Sequence, residues 1–312
     1  MSLVVALSGG IGGAKLALGL SRVLPAEELL VVANTGDDFE HLGLSISPDI
    51  DTLTYTLAGI ANRETGWGRA GETWSFMQAL GELGGETWFR LGDKDLALHV
   101  ERTRRLRAGE SLSAITADLC RRLGVGPRVL PMSDDPVRTR VETETGWLDF
   151  QDYFVGRQCA PVVRSLRFEG AAAARPQQDV LAALRRPGLR AVVVCPSNPF
   201  ISIDPILAVP GLREALAACR APKVAVSPIV AGQAVKGPTA KMMAELGLAV
   251  SAATVADRYA DLLDGYVADH ADAGALAAVR PRVVLANTLM TTLADREALA
   301  RTVLAAADGL RA

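Results

Sequence analysis

The chain is short of the residues from which metal clusters and redox pairs are built. Its four cysteines, Cys120, Cys159, Cys195 and Cys219, lie far apart with no two-residue spacing, so neither a zinc ribbon nor a dithiol motif is present. They read as reduced thiols, mostly core, of a cytoplasmic protein. The three histidines, His41, His99 and His270, have no ligand spacing, which argues against a His/Cys zinc site. No charge sign dominates: 33 Lys and Arg against 35 Asp and Glu give a net charge of -2. No basic run is long enough to follow a nucleic-acid backbone, and Arg102, Arg104, Arg105 and Arg107 fit the solvated face of a helix. No apolar stretch approaches the ~20 residues of a membrane span, and the N-terminus lacks the basic region of a signal peptide. With nucleic acid and membrane set aside as partners, 312 residues at 49% hydrophobic suffice for one or two domains with a large core.

What is present begins near the N-terminus. Gly9-Gly10-Ile11-Gly12-Gly13-Ala14-Lys15 follows the apolar run Leu3 to Leu7, where a buried strand should turn into a helix. Glycines let the backbone approach an anion closely, and the first N–H groups of the helix present the positive end of its dipole. The run is not a Walker A loop, because the Gly-Lys-Ser/Thr ending is missing. Nor is it a full dinucleotide fingerprint: Gly10-x-Gly12 is there, but Lys15 stands where the third glycine would be. The plain alternative is a tight turn with no ligand.

Short, continuous apolar runs recur at Leu29 to Ala33, Ala191 to Cys195, Lys223 to Val226 and Arg282 to Leu285, between helical stretches. That pattern predicts a mostly parallel sheet flanked by helices, a Rossmann-like α/β core. Each run ends in a polar or Gly/Pro-rich loop, and ligands in such sheets bind where loops leave the carboxyl ends of the strands. The middle of the chain differs. From about Thr52 to Gly126 the periodicity is helical. Arg128 to Leu130, Arg138 to Glu144 and Trp147 to Phe150 then read as short strands, with Glu144-Thr145-Gly146 as a hairpin turn. The expected organisation is a nucleotide-binding core of residues 1–51 and 171–312, with residues 52–170 inserted as a mainly helical cap that binds the acceptor.

Acidic residues cluster in loops: Asp37 and Asp38, Asp49 and Asp51, Asp93 and Asp95, Asp134 and Asp135. Carboxylates at strand ends are what Mg²⁺ takes, with water and phosphate completing its shell; a helix cap or turn is the alternative for any one pair. Pro196-Ser197-Asn198-Pro199 is stiff at both ends and offers hydrogen-bonding groups between them. Ser227-Pro228 and Val235-Lys236-Gly237-Pro238 repeat the device. Trp67, Trp74 and Trp88 suit a planar heterocycle, or the core, and Arg90 is a candidate polar contact beside Trp88.

In this order the motifs resemble the 2-phospho-L-lactate transferase family of coenzyme F420 biosynthesis over nearly the whole chain. The matching stretches are Gly9-Gly10-x-Gly12 with Lys15, Asn34-Thr35-x-x-Asp38, Pro48 to Thr52, Leu91 to Asp95, Leu130 to Val137, Phe150 to Asp152, Pro196 to Pro199, Ser227 to Ile229 and Thr288 to Met290. The resemblance implies a Mg²⁺-dependent transferase whose donor is guanosine diphosphate esterified to a three-carbon acid. Its acceptor is the deazaflavin Fo, GMP leaves, and the family suggests a homodimer. It further implies that Asp51 and Arg90 contact the acceptor and that Asp37 and Asp51 are the catalytic, metal-binding carboxylates. The donor would lie on Gly10, Gly12, Gly13, Lys15, Pro196, Ser197, Asn198, Ser227 and Lys236. Two positions depart from the family pattern: Asn287 replaces a common Asp, and Gln158 an occasional His.

A regulatory branch of the same fold, which binds nucleotide sugars without this transfer, carries Pro-Gly-Ser-Leu-Tyr-Thr-Ser where this chain has Pro196-Ser197-Asn198-Pro199-Phe200. The broken fingerprint weighs against a nicotinamide-linked dehydrogenase. The sequence leaves the three-carbon acid open among phospholactate, phosphoenolpyruvate and a phosphoglycerate derivative.

Overall fold

The computed structural model describes residues 2–311. The chain opens with β1 (Val4–Ser8), α1 (Gly10–Val23) and β2 (Leu29–Ala33). A hairpin of β3 (Phe39–His41) and β4 (Leu44–Ile46) leads to four helices, α2 (Pro48–Leu57), α3 (Ser75–Glu82), α4 (Asp93–Arg107) and α5 (Leu112–Arg122). Strands β5 (Arg128–Pro131), β6 (Arg138–Thr143), β7 (Gly146–Asp149) and β8 (Val163–Glu169) follow. Then come β9 (Ala191–Val194), β10 (Lys223–Val226), the small hairpin β11 (Ile229–Val230) and β12 (Gln233–Ala234), β13 (Gly265–Asp269), β14 (Arg282–Ala286) and a last helix, Leu293–Asp308.

Seven strands form one parallel sheet in the order β14-β13-β10-β9-β1-β2-β5. β1 and β2 are buried along their whole length because helices cover both faces, which is why their sequences run apolar without alternation. Successive side chains divide between the two faces. Val5, Leu7, Leu30 and Val32 join one core cluster; Val4, Ala6, Leu29 and Val31 join the other, with α1 and the last helix. A Cβ at Gly19 would lie 2.1 Å from the Arg296 carbonyl, so only glycine lets those two helices meet there.

The expected α/β core is present, with two corrections to the segment assigned to the cap. Arg128–Pro131 is the edge strand of the central sheet, pairing parallel with β2 through Val31↔Val129 and Val32↔Leu130. The boundary at residue 51 falls inside α2, whose Ile50 and Leu53 belong to the core beside α1. What stands outside the sheet is therefore two pieces, the helical stretch 58–111 and the antiparallel sheet β7-β6-β8. The hairpin turns where expected, with Thr143 paired to Gly146. β13 was not anticipated, its Gly265 and Asp269 having masked the apolar middle.

Candidate functional site

Strand order reverses between β1 and β9, and the crevice above their carboxyl ends is where open parallel sheets bind ligands. A cleft of about 620 Å³ opens there. The turn Gly9–Gly12 and Lys15 form one wall, Pro196–Asn198 another, and Ser227 with Lys236 a third; Asp37, Asp49, Asp51 and Arg90 also face it.

The glycines have steric reasons to be glycines. A Cβ on Gly12 would lie 2.2 Å from the Pro196 carbonyl oxygen, and one on Gly13 2.4 Å from Ser8 Oγ. The β1 and β9 loops thus meet backbone to backbone, and Gly9 N–H donates to Ser197 Oγ at 3.1 Å. Gly10 N–H donates to Asp49 Oδ1 at 2.7 Å, so a carboxylate already sits at the start of α1. The next N–H groups of the first turn have no partner within the helix. Lys15 Nζ donates to the Met290 carbonyl at 2.9 Å. Burial and the nearby Arg296 and Lys236 charges push its pKa down, a sign of concentrated positive charge on this wall. Lys236 reaches across the mouth to the Thr65 carbonyl, 2.8 Å away.

Beneath the glycine turn lies an uncompensated acidic pair. Asn34 Nδ2 donates to Asp37 Oδ1 at 3.1 Å and to Asp49 Oδ2 at 2.9 Å, holding the two buried carboxylates side by side. Burial, and then the Asp49 charge, pushes Asp37 well above the usual carboxylate range. Burial raises Asp49 to about 6 against the hydrogen bonds from Asn34 and Gly10. Asp38, beside them, is raised by burial to about 7; Ser47 bonds one of its oxygens and the other has no partner. Two buried like charges without a counter-charge fit a divalent cation that takes one or two carboxylates and completes its shell with water and phosphate.

Asp51 is placed differently. Both Asp51 oxygens meet Arg102, whereas Asp37 shares Asn34 with Asp49; Asp37 and Asp51 line the same cleft. Arg102 itself is the correction to the solvated arginine face: it is 1% exposed, while Arg104 and Arg107 of the same cluster do face outward. Around Asp51 the cleft turns apolar, with Ile46, Phe89, Phe150 and Phe154, and Arg90 stacks its guanidinium 4.3 Å over Trp74. Trp67 lines the cleft at 51% exposure; Trp74 and Trp88 are half-exposed and do not.

The predicted donor residues converge on the cleft except Gly13, which is buried against Ser8 and Ser197, and some of their polar groups are committed to the protein. Asn198 Oδ1 caps Phe200 and Ile201, and the Ser227 hydroxyl closes a turn with Ile229. The remaining acidic motifs are structural. Asp93 ties Thr73, Ser75 and Phe76, Asp134 bonds Ser113, and Asp135 pairs with Arg175. The sequence places Asp49 and Asp95 among the acidic clusters without choosing them and Arg102 on a solvated face, and it offers no role for Tyr55 or His99. The signal was their helical spacing: Asp51 and Tyr55 on one turn, Asp95, His99 and Arg102 on successive turns of a second helix.

The 2-phospho-L-lactate transferase CofD family model matches residues 4–301. A phosphoenolpyruvate transferase of Kitasatospora aureofaciens is 44% identical, over 99% of this chain and 98% of its own length. A 2-phospho-L-lactate transferase of Methanosarcina acetivorans is 40% identical, over 98% and 99%. A solved structure from Bacillus halodurans, a member of the UPF0052 family, shares the fold with a TM-score of 0.63 over 97% of this chain and 98% of its own, at 14% identity.

Proposed function

The chain belongs to the 2-phospho-L-lactate transferase family of coenzyme F420 biosynthesis, and from that premise we propose that its cleft transfers a phosphorylated three-carbon acid from a guanosine diphosphate ester to the deazaflavin Fo. The primary ribityl hydroxyl of Fo attacks the phosphorus bearing the acid. A P–O bond forms to Fo, the bond to GMP breaks, and the hydroxyl proton passes to solvent water. One observation carries the reading: the glycine turn, the Asp37–Asp49 pair and the Asp51–Arg90 wall all face one cleft at the strand switch.

Such transfers depend on alignment and on charge stabilisation more than on covalent chemistry. The first-turn N–H groups after Gly10, together with Lys15 and Lys236, face where the diphosphate charge would lie. Asp37 and Asp49 would hold Mg²⁺, which when bound offsets the charge of the diphosphate and of departing GMP. Asp51, fixed by Arg102, receives the acceptor hydroxyl. Arg90 and the Phe89, Phe150 and Phe154 rings give a planar, partly polar deazaflavin a face to lie on.

The phosphoenolpyruvate transferases are 41–44% identical where they align over 99% of the chain, above the 37–40% of the phospholactate enzymes, and this supports an enolpyruvyl donor. The test is incubation of purified protein with Fo, Mg²⁺ and each of the three guanylylated acids, followed by product mass. An enol-linked product is expected, lighter than the lactyl one by one pair of hydrogens. No adduct with any donor overturns the reading.

A further inference from the structure

Arg102 does not line the cleft, yet it grips a residue that does. Buried between α4 and α2, it donates from Nη1 to Asp51 Oδ2 at 3.1 Å and pairs through Nη2 with Oδ1. His99 Nδ1 lies 3.3 Å from the same Nη1 and 3.7 Å from Asp51 Oδ2. On its other side, His99 Nε2 is 3.3 Å from Asp95 Oδ1, which also accepts the Tyr55 hydroxyl. Asp51 and Tyr55 are one turn apart on α2; Asp95, His99 and Arg102 follow at i, i+4 and i+7 on α4. Two helical stripes therefore face each other. Asp51, Tyr55, Asp95 and His99 line the cleft, and Arg102 stands at the closed end of the row.

We propose that Arg102 is the positioning residue for the acceptor hydroxyl. It locks the Asp51 carboxylate in one orientation, and His99, Asp95 and Tyr55 brace it from the cleft side. The inference rests on the reading that Asp51 receives the acceptor. A carboxylate held at one oxygen can still rotate, whereas a planar guanidinium bonded to both oxygens removes that freedom. Orientation of this kind matters because a misplacement of about 1 Å near reacting atoms costs about 10²-fold in rate. Lysine preserves the buried charge balance but binds as a point charge, so Arg102→Lys releases the orientation without stranding a charge.

The test is steady-state kinetics of R102K with Fo and the guanylylated donor, read beside circular dichroism and calorimetric binding of Fo. The expected result is a kcat loss of about 10²-fold. The donor KM should stay within about twofold of wild type, with the spectrum unchanged. Because Arg102 acts through Asp51, the D51N/R102K double variant should be no slower than D51N alone. A kcat for R102K within about threefold of wild type, or losses that multiply in full in the double variant, would overturn the proposal. If R102K does not fold, His99→Gln takes its place, with an expected kcat loss of about 10-fold and donor KM unchanged; a loss under about twofold overturns the proposal equally. A wild-type protein that transfers nothing to Fo fails the functional reading instead. A wild type that transfers while R102K matches it fails this inference alone.

Discussion

Asp49 and Asp51 stand two residues apart on one helix and end in opposite electrical surroundings. Residues i and i+2 project about 200° apart around a helix, so neighbours in sequence need not share a site. Asp49 points to Asn34 and Asp37 and finds a second carboxylate there. Asp51 points to α4 and finds a guanidinium reserved for it. Buried carboxylates that face no cationic side chain suit a bound cation; a carboxylate with a built-in cation is free for geometry alone. The cleft thus divides its labour by charge balance: the uncompensated pair under the glycine turn, the compensated one against the aromatic wall.

The sharpest way to break that division is Asp51→Asn. Turnover should fall about 10³-fold while calorimetric Mg²⁺ binding stays as in wild type. Loss of metal binding in this variant would move Asp51 into the metal site and dissolve the distinction. The same change leaves Arg102 buried and unpaired, and thermal melting should register a loss of about 3–5 kcal/mol. Asp49→Asn is the mirror experiment. It should weaken Mg²⁺ by about 10–100-fold. Removing one of two like charges should also leave the metal-free protein at least as stable as wild type; a melting loss as large as that of D51N would show that the pair is not under electrostatic strain.

The acidic station carries its own pH signature. Asp49 and Asp38 are raised to about 6 and about 7 in the folded chain, above their unfolded values near 4. Their contribution to stability is therefore fully present below pH ~4 and is lost as pH rises through about 6 to 7. Melting of the metal-free protein should decline across that window, and added Mg²⁺ should flatten the decline. A profile unchanged by Mg²⁺ would count against the cation assignment. The smallest effect belongs to the aromatic wall: Arg90→Gln should raise the Fo KM by about 10-fold and leave melting within about 0.5 kcal/mol of wild type.

Much of this was legible in the residues. The unbroken apolar runs of β1, β2, β9 and β10 betrayed strands buried on both faces, and the polar loops after them fell at the cleft. The glycine turn was legible as a backbone device, although its closest neighbour, the Pro196 carbonyl, is a tertiary fact. Arg128–Pro131 was misread because an edge strand has the same local signature whether it joins a large sheet or a small one; its partner β2 decides. Arg102 was misread for a related reason. Within an arginine-rich helix, only the Asp51 carboxylate across the gap marks which arginine turns inward.

The switch point at the head of β1 also has a consequence for how the chain comes to life. Gly9 and Ser197, bonded to each other in the finished cleft, are 188 positions apart. Val4 to Leu7 of β1 wait for β9 before their second edge is paired, so the glycine turn gains its opposite wall only after more than half of the polypeptide has been synthesised. Closing so long a loop is a slow, entropically opposed event. The cleft is therefore expected to be among the last features to assemble, and a nascent chain stalled before Ala191 carries α2 and α4 but lacks the β9 wall of the cleft.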